Sequence, residues 1–579
     1  MQPTLSLRSK PLKCETVRSA TVLLVVLVVL VLLSLSVYSF AEIMIAEAEA
    51  TAAYIRCVES RSFADSGVEY LKSRLLNRNR SQRDDLWDNP ALLHSVVVHA
   101  ADSGAQRGCF SVVAPCRGRG LGVRIRFGVI DESSKLNLNA LPLDKRHQKL
   151  ARQMLMGLNR MTPQIADAIL DWLDSDDEPR EFGAESAYYN TLSPPYSAGN
   201  GYLNSLDELL LVRGVTPELL FGNDFNQNGW LDPNENAADA TRPPDNADGV
   251  LQSGWSGLLT VDSRESNLRR TGKPRINLNQ DSLVHLYDEL ERELGKRAAQ
   301  FIIAYRLNGT LNGEADLLTQ LDEDEPDAEE VARDAVQRAK EQRGVHRDDS
   351  NPEREAGLDG AQRGGIDLSR APVHRVRSLY DLFGVSVHIS LDGVDTILDS
   401  PWLDDPRSIL SVLPELSEKV TAEDTPTIEG RININCAPRE VLKGLPGMTP
   451  DLAQAIASAQ MSLSETLVGN RVTERETPVW LLNEGLVDIK RLRRLGPYIT
   501  TQGDVHRGYV IGHFADGGPT AMVEVVLDCS QTLPRVISHR DLPAAVPYNQ
   551  MLLGRGTTRE AHAMTTGLGP RELAARPEL

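Results

Sequence analysis

"KLNLNALP", residues 135–142, alternates apolar side chains with asparagines behind a basic residue, and the signature returns as "RINLNQDS" at 275–282 and "RININCAP" at 431–438. A pattern that recurs three times in one chain is read as an internal repeat before anything else. Each copy leads into a helical stretch: "RQMLMGL", "LVHLYDELERELGKRAAQFIIAYR" and "REVLKGLPGMTPDLAQAIASAQ". The asparagines stand where side chains cap helices or turns. In the third copy "GLPGM", Gly444 to Met448, is a tight turn between two amphipathic helices, the pattern of a helix-hairpin-helix. Such hairpins grip a nucleic-acid backbone through exposed amides and nearby basic residues. Here the second helix opens with Asp451 and no base, which favours packing over DNA.

Strand-like segments flank the repeats on both sides. "HSVVVHA", "CFSVVAP" and "GVRIRFGVID" precede them, and "GYVIGHF" and "TAMVEVVLDC" follow across the turn "ADGG". The repeat region therefore reads as an insertion in one sheet domain. Cys109 and Cys116 bracket "FSVVAP" in an expected hairpin and are candidates for a disulfide, two free buried thiols being the alternative. Further upstream, Ala20 to Phe40 is an uncharged run, roughly 31 Å long as a helix, which is one bilayer crossing. Arg8, Lys10, Lys13 and Arg18 precede it and Glu42, Glu47 and Glu49 follow, so the positive-inside bias puts the N-terminus in the cytoplasm. A cleaved secretory signal is the competing reading, but the apolar run is long for one and no A-x-A site follows. The helical pattern then continues without proline as a stalk to about residue 78.

The expected fold class is α+β. A pilin-like transmembrane and stalk helix carries an antiparallel sheet, interrupted by a large helical insertion of helix-hairpin-helix (SAM-like) repeats. The boundaries expected are a cytoplasmic leader at 1–19, the transmembrane helix at 20–40, the stalk at 41–78 and the first strands at 79–132. A helical domain with repeat one at 133–270, repeat two at 271–311, a charged insertion at 312–371 and an α/β segment at 372–430 come next. Repeat three at 431–502, closing strands at 503–540 and a disordered tail at 541–579 complete the chain. One further helix is expected near 327–343 within the charged insertion.

The net charge of −19 argues against nucleic acid as the main partner. No H-E-x-x-H, strand-borne G-x-S-x-G or phosphate-cradling loop is present, and the 11 histidines lack ligand spacing, so no enzyme is expected. What does carry chemistry is "DFNQNGWLDPNE", residues 224–235. Asp224, Asn226, Asn228, Asp232 and Glu235 occupy the side-chain positions of a twelve-residue calcium loop, Trp230 gives the backbone carbonyl, and Gly229 permits the bend. The alternative is a polar surface turn that binds nothing. "NAADATRPPDNADG" follows and cannot be a flanking helix, so the ion would stiffen a loop rather than switch a groove. A second acidic cluster, Asp171, Asp174, Asp176, Asp177 and Glu178, reads equally as a solvated helix end or a second calcium contact. Trp172, Tyr188, Tyr189 and Tyr196 beside it read as local core.

"KLNLNALP" followed by "AILDWLDSDDEPREFGAESAYYNTLSPPYSAGNGYLNSLDELLLVRGV", and again "RININCAPREVLKGLPGM", resemble the minor pseudopilin of the type II secretion system called general secretion pathway protein K. The resemblance implies a non-enzymatic subunit at the tip of a periplasmic pseudopilus, with other minor and major pseudopilins as partners. It also implies an inner-membrane anchor with the bulk of the chain periplasmic, exported proteins as further contacts, no nucleic acid, and structural Ca2+. Prepilin peptidases cut after glycine in such precursors. Here the junction is "VRSA", which places the cut between Ala20 and Thr21, and Val25 stands where other pseudopilins carry a glutamate. The alternative function is a membrane-anchored DNA-uptake receptor that uses the hairpins.

Overall fold

The computed structural model describes residues 16–76, 86–101, 106–116, 124–144, 147–232, 235, 251–311, 362–464, 475–531 and 533–543. Helix α1 (Thr16–Leu75) runs 60 residues, or about 90 Å, because nothing in it breaks the hydrogen-bond ladder. Its two halves differ. Val22 to Val58 are largely exposed, whereas Ser60, Phe63, Ala64, Val68, Leu71 and Leu75 are buried at three- and four-residue spacing along one stripe. The first half is long and apolar enough to cross a membrane; the second is a packing face.

That face lies on a sheet built from both ends of the chain. Strands β1 (Val96–His99), β2 (Gly108–Cys116), β3 (Arg124–Arg126) and β4 (Ile130–Asp131) come first. The chain then leaves through a short turn, Glu132–Ser134, into three modules of one design. Module one opens with β5 (Leu136–Asn137), forms the helix pair α2 (Gln148–Met156) and α3 (Pro163–Leu173), and closes when β6 (Leu259–Thr260) pairs parallel with β5. After the linker strand β7 (Arg264–Ser266), module two opens with β8 (Ile276–Asn277) and the pair α4 (Leu283–Leu294) and α5 (Lys296–Asn308). It continues through the hairpin β9 (Ser386–Leu391) and β10 (Val394–Asp399) and helix α6 (Pro406–Lys419), and closes with β11 (Val420–Thr421) parallel to β8. A second linker, β12 (Thr427–Glu429), pairs antiparallel with β7. Module three runs from β13 (Ile432–Asn433) through α7 (Arg439–Lys443) and α8 (Pro450–Ser464) to β14 (Ile499–Thr500), again parallel to its opening strand.

The asparagines of the repeat explain the common design. Asn137, Asn277 and Asn433 each accept, through Oδ1, the backbone N–H two residues on, at 3.0, 2.8 and 3.0 Å. Asn139 Nδ2 then donates to the Leu203 and Val261 carbonyls, Asn279 Nδ2 to those of Val376 and Ala422, and Asn435 Nδ2 to those of Arg475 and Thr501. One asparagine turns the opening strand and the next ties it to the middle and the end of its own module. Because buried backbone carbonyls must find donors, this position tolerates few other side chains.

Strands β15 (Val505–Phe514), β16 (Ala521–Asp528) and β17 (Arg535–Leu542) complete the sheet, in the order β1-β2-β15-β16-β17. Side chains alternate along β15. On one face a Cβ on Gly512 would sit 1.9 Å from the Ser60 carbonyl, and one on Gly67 would meet Val510 at 2.5 Å, so glycines let α1 lie directly on the strand. On the other face Tyr509 and its neighbours meet Trp230.

Two expectations are corrected. The Cys109–Cys116 bridge is ruled out because both residues lie on β2, seven positions apart, about 23 Å along an extended strand where a disulfide needs Cα atoms within about 7 Å; Cys109 is a buried free thiol. The stretch 372–430 is not a unit of its own: β11 pairs with β8, so most of it closes module two. The helix expected at 327–343 lies outside the described residues.

Candidate metal centre

Module one holds two oxygen-rich groups. The first forms where α3 ends and the chain folds back on itself. Arg180 Nη1 bonds Asp171 Oδ1 at 2.6 Å and Asp174 Oδ2 at 2.5 Å, and the Phe182 N–H donates to Asp167 Oδ2 at 3.2 Å. Gly183 lies so close that a Cβ there would be 1.7 Å from Asp171 Oδ2. The fold-back carries Glu185 to Asp174 and Asp176, where one oxygen from each lies within 4.8 Å of the others. Glu185 is 3% exposed, and neither of its carboxylate oxygens has a hydrogen-bond partner among the described residues; nor do Asp174 Oδ1 and Asn200 Oδ1. Asn200 Nδ2 donates to the Asp176 carbonyl and to Asp177 Oδ1, both at 3.1 Å. Burial, followed by the charges of Asp171, Asp174, Asp177 and Asp176, pushes the Glu185 carboxyl up to about 7. Unpartnered, mutually repelling oxygens fit a hard cation.

Of the acidic residues singled out from sequence, Asp174 and Asp176 belong to this group. Asp171 is fully buried and engaged by Arg180, and Asp177 and Glu178 are exposed. Glu185 and Asn200 were missed, because Arg180 and Gly183 create their proximity and no side-chain spacing announces it. Trp172, Tyr189 and Tyr196 do pack together, with ring centroids 5.2 Å apart for the first two and 5.3 Å for the last two, while Tyr188 edges Tyr189 from a more exposed position.

The second group is the loop at 224–235, whose Asp224, Asn228, Asp232 and Glu235 are all buried. Asp224 accepts the N–H groups of Asn228 at 2.9 Å and Gly229 at 3.0 Å, and Gly229 takes a φ of +76°. Asn228 Oδ1 accepts the Trp230 N–H at 2.8 Å, and Glu235 accepts those of Phe225 and Asp232, both at 3.0 Å. The amides of Asn226 and Asn228 converge on Asp232 Oδ2 at 2.6 and 3.0 Å, while Asp232 Oδ1, 1% exposed overall, has no partner among the described residues. Burial, with the Glu235 charge, pushes Asp224 up to about 6 despite its backbone hydrogen bonds. The side chains of Asp224, Asn226, Asn228, Asp232 and Glu235 are thus joined in one hydrogen-bonded loop. Its carboxylates are spaced more widely than those of the first group, with amides between them, and the donor set and the orphaned Asp232 oxygen fit calcium.

Trp230 also docks the loop. Its indole N–H points at Met522 Sδ at 3.2 Å and its ring meets Tyr509 edge-on at 5.9 Å, so the loop covers the sheet face opposite α1. Where module one starts, Glu132 is fully buried among Lys135 Nζ at 3.0 Å, Arg507 Nε at 2.8 Å and Thr260 Oγ1 at 2.6 Å. Burial alone would raise its carboxyl, but the Arg507 and Lys135 charges hold it well below the usual range. Asp131 beside it accepts Asn433 Nδ2 at 2.8 Å and the Gly503 N–H at 2.7 Å, fastening module three at the same point.

The molecule is thus an α+β protein in which one N-terminal apolar helix lies on a sheet interrupted by helical modules. Residues 134–221 match the family model described as type II secretion system (T2SS), protein K. The chain is 49% identical over 57 residues to type II secretion system protein K of Aeromonas hydrophila, covering 10% of this chain and 17% of that one. It is 28% identical over 165 residues to the protein K of Pectobacterium carotovorum subsp. carotovorum, covering 26% and 45%. These matches span less than half the length of the curated relatives. Against a chain of the GspK-GspI-GspJ complex of the enterotoxigenic Escherichia coli type 2 secretion system the TM-score is 0.32 at 10% identity, over 86% of this chain and 100% of that one.

Proposed function

We propose that this protein is a minor pseudopilin of the type II secretion system, a non-enzymatic tip subunit that starts or caps the periplasmic pseudopilus. The observation that carries this reading is the division of α1. Its apolar first half is bare while its second half is covered by a sheet into which a segment matching the protein K family model is inserted. A bare apolar helix needs a membrane or other helices to cover it. The inner membrane supplies one, with the N-terminus cytoplasmic and the sheet and modules periplasmic; the helices of other pseudopilins supply the other. Cleavage between Ala20 and Thr21 would leave a mature chain that begins at the apolar run.

The helix pairs α2–α3 and α7–α8 are read as helix-hairpin-helix units used for packing. Their turns, "GLNRMTP" and "GLPGMTP", lie against each other: a Cβ on Gly157 would sit 2.6 Å from the Gly444 nitrogen. Calcium is a structural ion here, held by Asp224, Asn226, Asn228, Asp232, Glu235 and the Trp230 carbonyl, and by Asp174, Asp176 and Glu185. Its chemistry is the neutralisation of buried carboxylates.

Deleting the gene from a secreting host tests the reading. Exported proteins should accumulate in the periplasm and return to the medium when the full-length chain is restored. Unchanged export together with lost DNA uptake would overturn it in favour of the receptor.

A further inference from the structure

We infer that the loop at 224–235 and the outer strand β17 are one coupled unit, in which Arg540 is a positioning residue for the cation loop and a bound cation in turn fixes the edge of the sheet. The inference rests on the calcium reading of that loop and goes beyond it.

The contacts are specific. Arg540 Nη1 donates to Gln227 Oε1 at 2.7 Å and Nη2 to the Gln227 carbonyl at 3.1 Å, so one guanidinium holds both the side chain and the backbone of a single loop residue. Gln227 is the fourth position of the twelve and has a φ of +55°, in the left-handed region that a residue without special chemistry leaves readily. It also lies between Asn226 and Asn228, two of the residues that would face the ion. An external grip on Gln227 therefore presets the backbone from which those amides project.

The other side of Arg540 continues the connection. Its Nε donates to Glu524 Oε2 on β16 at 3.0 Å; Glu524 pairs with Arg507 on β15, and Arg507 pairs with Glu132 at the start of module one. Glu524 and Glu132 are both buried, so the charges in this row are held in place rather than exchanged with water. The row crosses the three strands on the face that Trp230 covers, which ties the loop and the module to the same line of the sheet. Strand β17 is the last in the sheet and its side chains are mostly exposed; besides the ladder with β16 it is held by this row on one face, by Arg61 of α1 on Asp541 at 2.7 Å on the other, and by the buried Leu542. Two elements that stabilise each other must do so reciprocally: whatever factor Arg540 contributes to cation affinity, the cation returns to the docking of β17.

Hydrogen exchange of the full-length chain in detergent, followed by mass spectrometry across a Ca2+ titration, reads both ends at once. Calcium should protect the loop peptide and the peptide containing 535–542 with the same midpoint. Arg540→Lys keeps a cation beside Glu524 but loses the two-pronged hold on Gln227. It should raise the calcium midpoint of the loop about fivefold and uncouple the strand. Gln227→Ala, which leaves every charge intact, should shift the midpoint in the same direction by less. Calcium that protects the loop while exchange at 535–542 stays unchanged would overturn the coupling and leave the calcium reading standing. Calcium that protects neither would overturn both.

Discussion

Asp232 Oδ1 and the two oxygens of Glu185 are buried acceptors without partners among the described residues, and in the calcium reading they face the ion. Asp232→Ala and Glu185→Gln should each remove one class of site from a calorimetric calcium titration and leave the other. If either variant keeps both classes, the oxygens it changes are not ligands. His513 gives a different residue-scale expectation. Burial pushes its imidazole down to about 4, with Ser111 Oγ 3.2 Å from Nε2. An unfolded histidine binds protons from about pH 6.5, so between that pH and 4 the unfolded chain takes up more protons and stability falls on acidification. His513→Gln, which keeps an amide partner for the serine, should flatten the melting temperature across that window relative to the parent chain. At this scale the polar loop at 224–235 was legible because its Asp, Asn and Glu residues stand at fixed positions of a twelve-residue pattern. Glu185 was not, since only the Arg180 fold-back brings it to Asp174.

Elements inherit their stability from a few such positions. The repeated asparagine tie predicts that Asn139→Ala, Asn279→Ala and Asn435→Ala each cost about 1–3 kcal/mol, because each leaves two carbonyls without a donor. Urea melts of the three variants would show it, and an unchanged midpoint in all three would mean that water replaces the side chain. Gly512→Ala should be costly by overpacking, about 1–3 kcal/mol, since its Cβ would meet the α1 backbone. The starts of the modules were readable from sequence because two asparagines at a fixed spacing are an uncommon pattern, though their strand character was not. The closing strands were not: Val420–Thr421 and Ile499–Thr500 are two residues long, too short for any periodicity. That is why 372–430 read as a separate segment.

For the whole molecule, burial divides the chain into a covered part and an uncovered one. One helix joins a bare apolar half to a sheet closed around three modules, and the charges Glu132, Arg507 and Glu524 hold sheet and modules together. Burial works against the Glu132 and Glu524 carboxyls, but neighbouring arginines hold both below the usual range. Their contribution is therefore complete above about pH 4.5 and lost as pH falls further. Acid should loosen the modules from the sheet before the helix pairs melt, visible as early hydrogen exchange at 130–136. The membrane-length run and the two halves of the sheet were legible from charge asymmetry and strand composition. How the modules share a core was not, because it depends on contacts more than a hundred residues apart.

The most direct test of the pseudopilin reading is to solubilise the full-length chain from its own membranes in the presence of calcium, isolate it and identify the chains that accompany it by mass spectrometry. The account predicts partners with pilin-like N-terminal apolar helices, lost when residues 22–58 are replaced by a membrane helix of unrelated sequence. Recovery of the chain with DNA and without such partners would contradict it.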